Sequence, residues 1–119
     1  MTTKTRYYNG TSRDFLAKAW NYLAEGNLLQ ASEKGWGAAA QMVKSVAEAK
    51  GWPHNGHHEL WRTVNKLVAQ TGDRDIRTLF GSADSLHTNF YEGWLPDETV
   101  EDYLSNVSTL LTKLEPLIS

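Results

Sequence analysis

Four histidines carry most of the near-neutral acid–base capacity of this chain, and three of them, His54, His57 and His58, fall within one short stretch. Imidazoles at that density can ligate zinc. Their spacing argues against it. Adjacent helical residues such as His57 and His58 point about 100° apart. His54 lies across the Asn55-Gly56 turn, and no further ligand is identifiable. The segment reads as a polar helix start, with His58 four residues before Arg62, and no metal is expected. His87 is better placed. In Leu86-His87-Thr88-Asn89-Phe90-Tyr91-Glu92 it borders an apolar stripe of Ala83, Leu86 and Phe90, with Tyr91 one turn further on. Such an imidazole can serve as a general base. It can equally be a boundary histidine bonded to a carbonyl or carboxylate. No serine, cysteine or carboxylate pair is set beside it by spacing, so no mechanism follows.

Ser32-Glu33-Lys34 is the third candidate. If the adjacent small residues face a partner helix, one of these charges becomes half-buried and paired. Otherwise both are solvated. Lys44, Lys50, Arg62 and Lys66 are too scattered to define a phosphate track. There is no glycine-rich phosphate loop of the strand–turn–helix kind.

The element that must position these residues is Asn27 to Lys50. It is long enough for about six helical turns and holds no proline. One stripe reads Leu28, Ser32, Gly35, Ala39, Met42, Val46; its neighbour reads Leu29, Trp36, Val43, Ala47. Both follow helical spacing. Gly35, Gly37 and Ala38-Ala39-Ala40 give a thin waist. A mid-helix glycine costs about 1 kcal/mol relative to alanine, so two of them imply a close backbone approach. Residues 1–10 are expected to be flexible. A first helix is expected from Thr11 or Ser12 to Gly26, and a third from His57 to Thr71. A fourth is capped by Asp73 and ends before Gly93. The last opens at Pro96 and runs to Leu117. No period-two strand pattern is present. The expectation is all-α: a five-helix up-and-down bundle, one domain over residues 11–119.

The totals bound the function. The chain has 119 residues, no cysteine and a formal net charge of -2. Disulfides and thiolate metal sites are excluded, and no basic surplus advertises nucleic acid. No apolar run is long enough to span a membrane. The N-terminus lacks the apolar core of a signal peptide, so a cytoplasmic location is expected. Five tryptophans suggest large interlocking contacts in a core or at an interface.

The segment from Gln30 to Trp52, then His57-His58-Glu59-Leu60-Trp61, then Ala83 to Leu95, resembles the PaREP-type proteins within the wider HEPN-like (higher eukaryotes and prokaryotes nucleotide-binding) superfamily. The resemblance covers residues 13–117. Its strongest marks are Gln30-Ala31-Ser32-Glu33-Lys34 with Trp36, and Leu86-His87 with Asn89-Phe90-Tyr91-Glu92. It implies a HEPN-like five-helix bundle, a homodimer, and a link to nucleotides or RNA. Many HEPN proteins are metal-independent ribonucleases whose motif sets an arginine a few residues before a histidine. Here nine residues separate Arg77 from His87, so that activity is not carried over.

The resulting expectation is a non-catalytic, dimeric binding module without a cofactor. It contacts a nucleotide, an RNA or a protein partner encoded nearby, and the modest charge favours the protein. Its groove walls would be the waist from Gly35 to Ala40 and the segment from His87 to Glu92, and its ligand- or partner-binding candidates are Glu33, Lys34, Trp36, His58, Arg62, His87, Asn89, Tyr91 and Glu92. The rival readings are a divergent ribonuclease using His87 and a structural oligomerisation protein.

Overall fold

The computed structural model describes residues 1–118. It contains five α-helices: α1 (Thr3–Ala24), α2 (Leu28–Lys50), α3 (His57–Thr71), α4 (Asp75–Glu92) and α5 (Asp97–Leu114). A 3₁₀ turn, Glu115–Ile118, follows. The described chain is therefore an all-helical, five-helix bundle.

α2 is the centre, and every other helix touches it. Ala31, Ala38, Ala39, Met42, Val43 and Val46 expose no surface. The waist works as a close-approach point on two sides. A Cβ on Gly35 would lie 2.5 Å from Leu104 Cδ2 of α5 and 2.9 Å from Leu86 Cδ1 of α4. A Cβ on Gly37 would lie 2.9 Å from the Phe15 ring of α1. The glycines thus trade helix propensity for contact with three neighbours.

α1 begins at Thr3, not at Thr11 or Ser12, so the stretch expected to be flexible is helical. Thr2 caps it, its hydroxyl accepting from the Thr5 amide at 3.2 Å. The reason for the longer helix lies on α2. Ser12 Oγ donates to the Ala38 carbonyl at 2.6 Å, and Ser45 Oγ donates to the Thr5 carbonyl at 2.9 Å. Moving back along α1 from Ser12 to Thr5 moves forward along α2 from Ala38 to Ser45, so the two helices are antiparallel. Thr5 and Ser12 are both fully buried. Small hydroxylated residues let the backbones close up while the hydroxyls of Thr5, Ser12 and Ser45 keep partners. Ser12 is consequently a mid-helix contact and not a cap.

The other boundaries follow local chemistry. Asn27 caps α2, its side chain accepting from the Gln30 amide. Gly51 closes α2 at φ 76°, with the Trp52 amide bonded to the Ala47 carbonyl at 2.8 Å, as in a Schellman cap. Asp73 Oδ1 accepts from the Asp75 amide at the start of α4. α5 stops as an α-helix at Leu114, three residues short of the expected Leu117. Proline at 116 lacks the amide needed to continue the ladder, and the chain tightens into the 3₁₀ turn.

Candidate functional site

Three helices bring their aromatic and titratable side chains together around Trp36. Its indole stacks against His57 from α3 and His87 from α4, with ring centroids 4.9 Å away in each case. The two imidazole centroids are 5.8 Å apart. Rings on opposite faces would be separated by nearly twice the stacking distance, so both imidazoles lie on one side of the indole. Tyr91 meets His87 edge-on at 5.5 Å. Phe80 underlies the group, tilted against Trp36 and edge-on to Trp61.

Each imidazole faces its own carboxylate. His57 Nε2 is 3.1 Å from Asp84 Oδ2, which also accepts from Trp61 Nε1 at 2.9 Å. With Asp84 ionised, the His57 nitrogen facing it carries the proton. His87 Nδ1 is 3.6 Å from Glu33 Oε2. That is beyond a hydrogen bond, and both atoms are buried without another partner. The Glu33 carboxylate thus faces His87 at ion-pair distance without a hydrogen bond.

A shallow groove of about 320 Å³ runs from this cluster along α2. Glu33, Trp36, Ala40, Gln41 and Lys44 line one side, and Asn55 to His57 with Leu60 line the other. Gln41 Oε1 is a further buried acceptor with no partner. At the C-terminal end of α4, next to the cluster, Asn89 is tied down. Asn89 is 1% exposed; its Nδ2 donates to Ser32 Oγ at 3.0 Å, and its Oδ1 accepts from the Leu95 amide at 2.8 Å. This bridge anchors the loop that carries Trp94. Trp94 is 65% exposed, Tyr91 72% and Leu29 43%. Leu29 lies over Gly93, 3.7 Å from where a Cβ would stand. Tyr91 thus flanks His87, and Leu29 lies against the turn that precedes Trp94.

The candidates from the sequence separate into groups. Glu33, Trp36, His87 and Tyr91 converge. Asn89 is adjacent but spends its amide inside the protein. Lys34 leaves the cluster and sits over the Phe15 ring at 4.5 Å. His58 and Arg62 are exposed, and Arg62 opens on a different hollow with Pro53, Glu59, Thr63 and Lys66. Glu92 is exposed. The three neighbouring histidines diverge. His54 pairs with Glu48 at 2.8 Å, which holds the Glu48 carboxyl below its ordinary range. His57 joins the stack, and His58 faces solvent. Among the described residues no group of three histidines or carboxylates is arranged to hold a metal. Also among them, no helix is long and apolar enough to cross a membrane.

Sequence reasoning missed His57, Asp84, Gln41 and Lys44. A signal for two of them existed: Asp84, His87 and Tyr91 follow the spacing of one α4 face, and His57 and Trp61 that of one α3 face.

The archaeal PaREP1/PaREP8 family matches residues 8–111. The chain belongs to that family. A crystal structure of a protein from Sulfolobus solfataricus has the same fold. It superposes with a TM-score of 0.77 at 21% identity, over 100% of this chain and 99% of the other. No curated protein matches. The PaREP1/PaREP8 match spans all three helices of the candidate site, from Glu33 to Tyr91.

Proposed function

We propose that this PaREP1/PaREP8 chain is a non-catalytic binding module that contacts a nucleotide and works as a homodimer. The observation that carries the reading is the α2 groove. It joins a stack of aromatic rings, on which a planar base can lie, to the polar side chains of Glu33, Gln41 and Lys44. The resemblance to HEPN-like nucleotide-binding bundles points the same way. The exposed side chains of Leu29, Tyr91 and Trp94 supply the surface for a second copy. Tryptophan and tyrosine are the residues that dominate protein interfaces, and here the loop beneath them is anchored in advance by Asn89.

Thermal denaturation in the presence of each nucleoside monophosphate tests the ligand. Binding to the folded state raises Tm with concentration, and no rise with any of the four would reject the reading. Sedimentation velocity tests the assembly. The wild type is expected as a dimer and Trp94→Ala as a monomer. A monomeric wild type would move the patch to the alternative occupant, a protein partner encoded nearby.

One observation favours a ribonuclease instead. Two imidazoles side by side, each backed by a carboxylate, are a general base and a general acid without a metal. Cleavage of end-labelled RNA in EDTA that disappears in His87→Ala would establish it.

A further inference from the structure

We infer that the hollow on α3 beside Pro53 binds inorganic phosphate, held by Arg62, Lys66 and Thr63 and told from sulfate by Glu59. The inference goes beyond the nucleotide reading and does not depend on it. At about 100° per residue, Glu59, Arg62, Thr63 and Lys66 fall on one side of α3. His57 and Leu60, which line the aromatic groove, fall on another. Pro53, from the turn after α2, adds a wall, and the hollow measures about 180 Å³. The fold gathers at this corner three cations that the sequence scatters. Lys50 Nζ and Lys66 Nζ both lie over the Trp52 ring, 5.6 and 4.8 Å from its centroid. Arg62 shares the hollow with Lys66. Among the described residues none of the three makes an ion pair.

Thr63 is the observation that points to a ligand. It lines the hollow and is 1% exposed. A helical threonine ordinarily donates to the carbonyl one turn earlier, as Thr71, Thr88, Thr109 and Thr112 do here. Among the described residues Thr63 makes no such bond, and its hydroxyl has no other partner. Nor is that hydroxyl sealed from solvent: the unpartnered atoms that are sealed belong to Glu33, Gln41, His54 and His87. The trace of surface that Thr63 keeps is therefore at Oγ1, where an occupant of the hollow meets it. Arg62 adds a fork of N–H donors and Lys66 a compact charge. Three kinds of donor around one small volume suit a tetrahedral oxyanion.

Glu59 decides which one. Its Oε1 accepts from the Asn55 amide at 2.7 Å. Among the described residues its Oε2 has no partner. The hydrogen-phosphate dianion carries a P–O–H that donates to such an oxygen. Sulfate and the dianion of a phosphate monoester have no proton there, and the carboxylate repels them. The hollow is also smaller than the roughly 300–1,000 Å³ of pockets that enclose drug-sized ligands. A polynucleotide would need a longer row of cations.

Isothermal titration of the full chain tests this at slightly alkaline pH, with inorganic phosphate, sulfate, glycerol phosphate and a short single-stranded RNA. Phosphate is expected to bind roughly 10-fold or more tightly than sulfate or glycerol phosphate, the size of one hydrogen bond to a charged group. Arg62→Met and Thr63→Val should each weaken phosphate by roughly 10-fold. Thr63→Val replaces an unpaired hydroxyl by a methyl of the same shape, so its Tm should hold or rise, which separates a lost ligand from a lost fold. Glu59→Gln keeps an acceptor for the Asn55 amide and should abolish the preference over sulfate. No binding of phosphate, or binding unchanged in both Arg62→Met and Thr63→Val, would overturn the site. Equal binding of sulfate would overturn the assignment to phosphate, and a preference that survives Glu59→Gln would remove Glu59 from the role. Tighter binding of the RNA than of phosphate would overturn the inference in favour of a polynucleotide surface.

Discussion

Asn89 shows how one side chain can serve the fold and the surface at once. Its amide satisfies Ser32 on α2 and the Leu95 amide beyond α4. Asn89→Ala leaves a buried hydroxyl and a backbone N–H unpaired. A loss of about 1–3 kcal/mol in urea unfolding is expected. The same variant frees the loop under Trp94, so dimerisation should weaken in parallel. An unchanged midpoint would mean that water replaces the amide without cost. The sequence placed Asn89 beside His87 but gave no sign of this bridge. Its two partners are 57 residues upstream and six downstream, and periodicity within one helix is blind to both. Trp36, Glu33, His87 and Tyr91 were visible because each sits at a register position next to an apolar stripe. His57 looks like part of a polar helix start because the sequence does not say what α3 packs against.

At the scale of the element, α2 was legible throughout. Its glycines and alanines announce close packing, and its cap residues fix both ends. α1 was not. Its first turns are polar, and burial of Thr5 and Ser12 follows only from the antiparallel contact with α2. Two substitutions separate packing from propensity. Ala39 is fully buried in the waist, so Ala39→Leu should overpack it and cost about 1–3 kcal/mol. Gly81, in α4, has nothing within 4 Å of where a Cβ would stand. Gly81→Ala should therefore stabilise the protein by about 0.5–1 kcal/mol through helix propensity alone. Chemical denaturation of the two variants checks both signs. Stabilisation by Ala39→Leu would mean that the waist holds a void.

At the scale of the molecule, the distant parts of the bundle are tied by ion pairs at its surface. Arg13 pairs with Glu115, joining α1 to the C-terminal turn. Lys113 on α5 pairs with Asp73 at the α3–α4 corner, 2.8 Å away. Lys113 donates to Asp73 and holds its carboxyl below the ordinary aspartate range; the same contact raises the Lys113 amine. The signs then fix the pH response. A carboxylate with a lowered folded pKa stabilises above its unfolded value and loses that contribution as pH falls through the folded one. An amine with a raised pKa stabilises below its unfolded value and loses that contribution as pH rises through the raised one. The pair thus acts fully between the aspartate and lysine ranges and fades at both extremes. Glu48, whose carboxyl is held low by the hydrogen bond from His54, contributes with the same sign on the acid side. Asp73→Asn isolates the first term. Urea midpoints of wild type and variant should differ at neutral pH and converge as the solution is acidified below the aspartate range. A constant gap across that range would show that the contact between Asp73 and Lys113 contributes nothing to the charge linkage. The variant would then report only on the α4 cap.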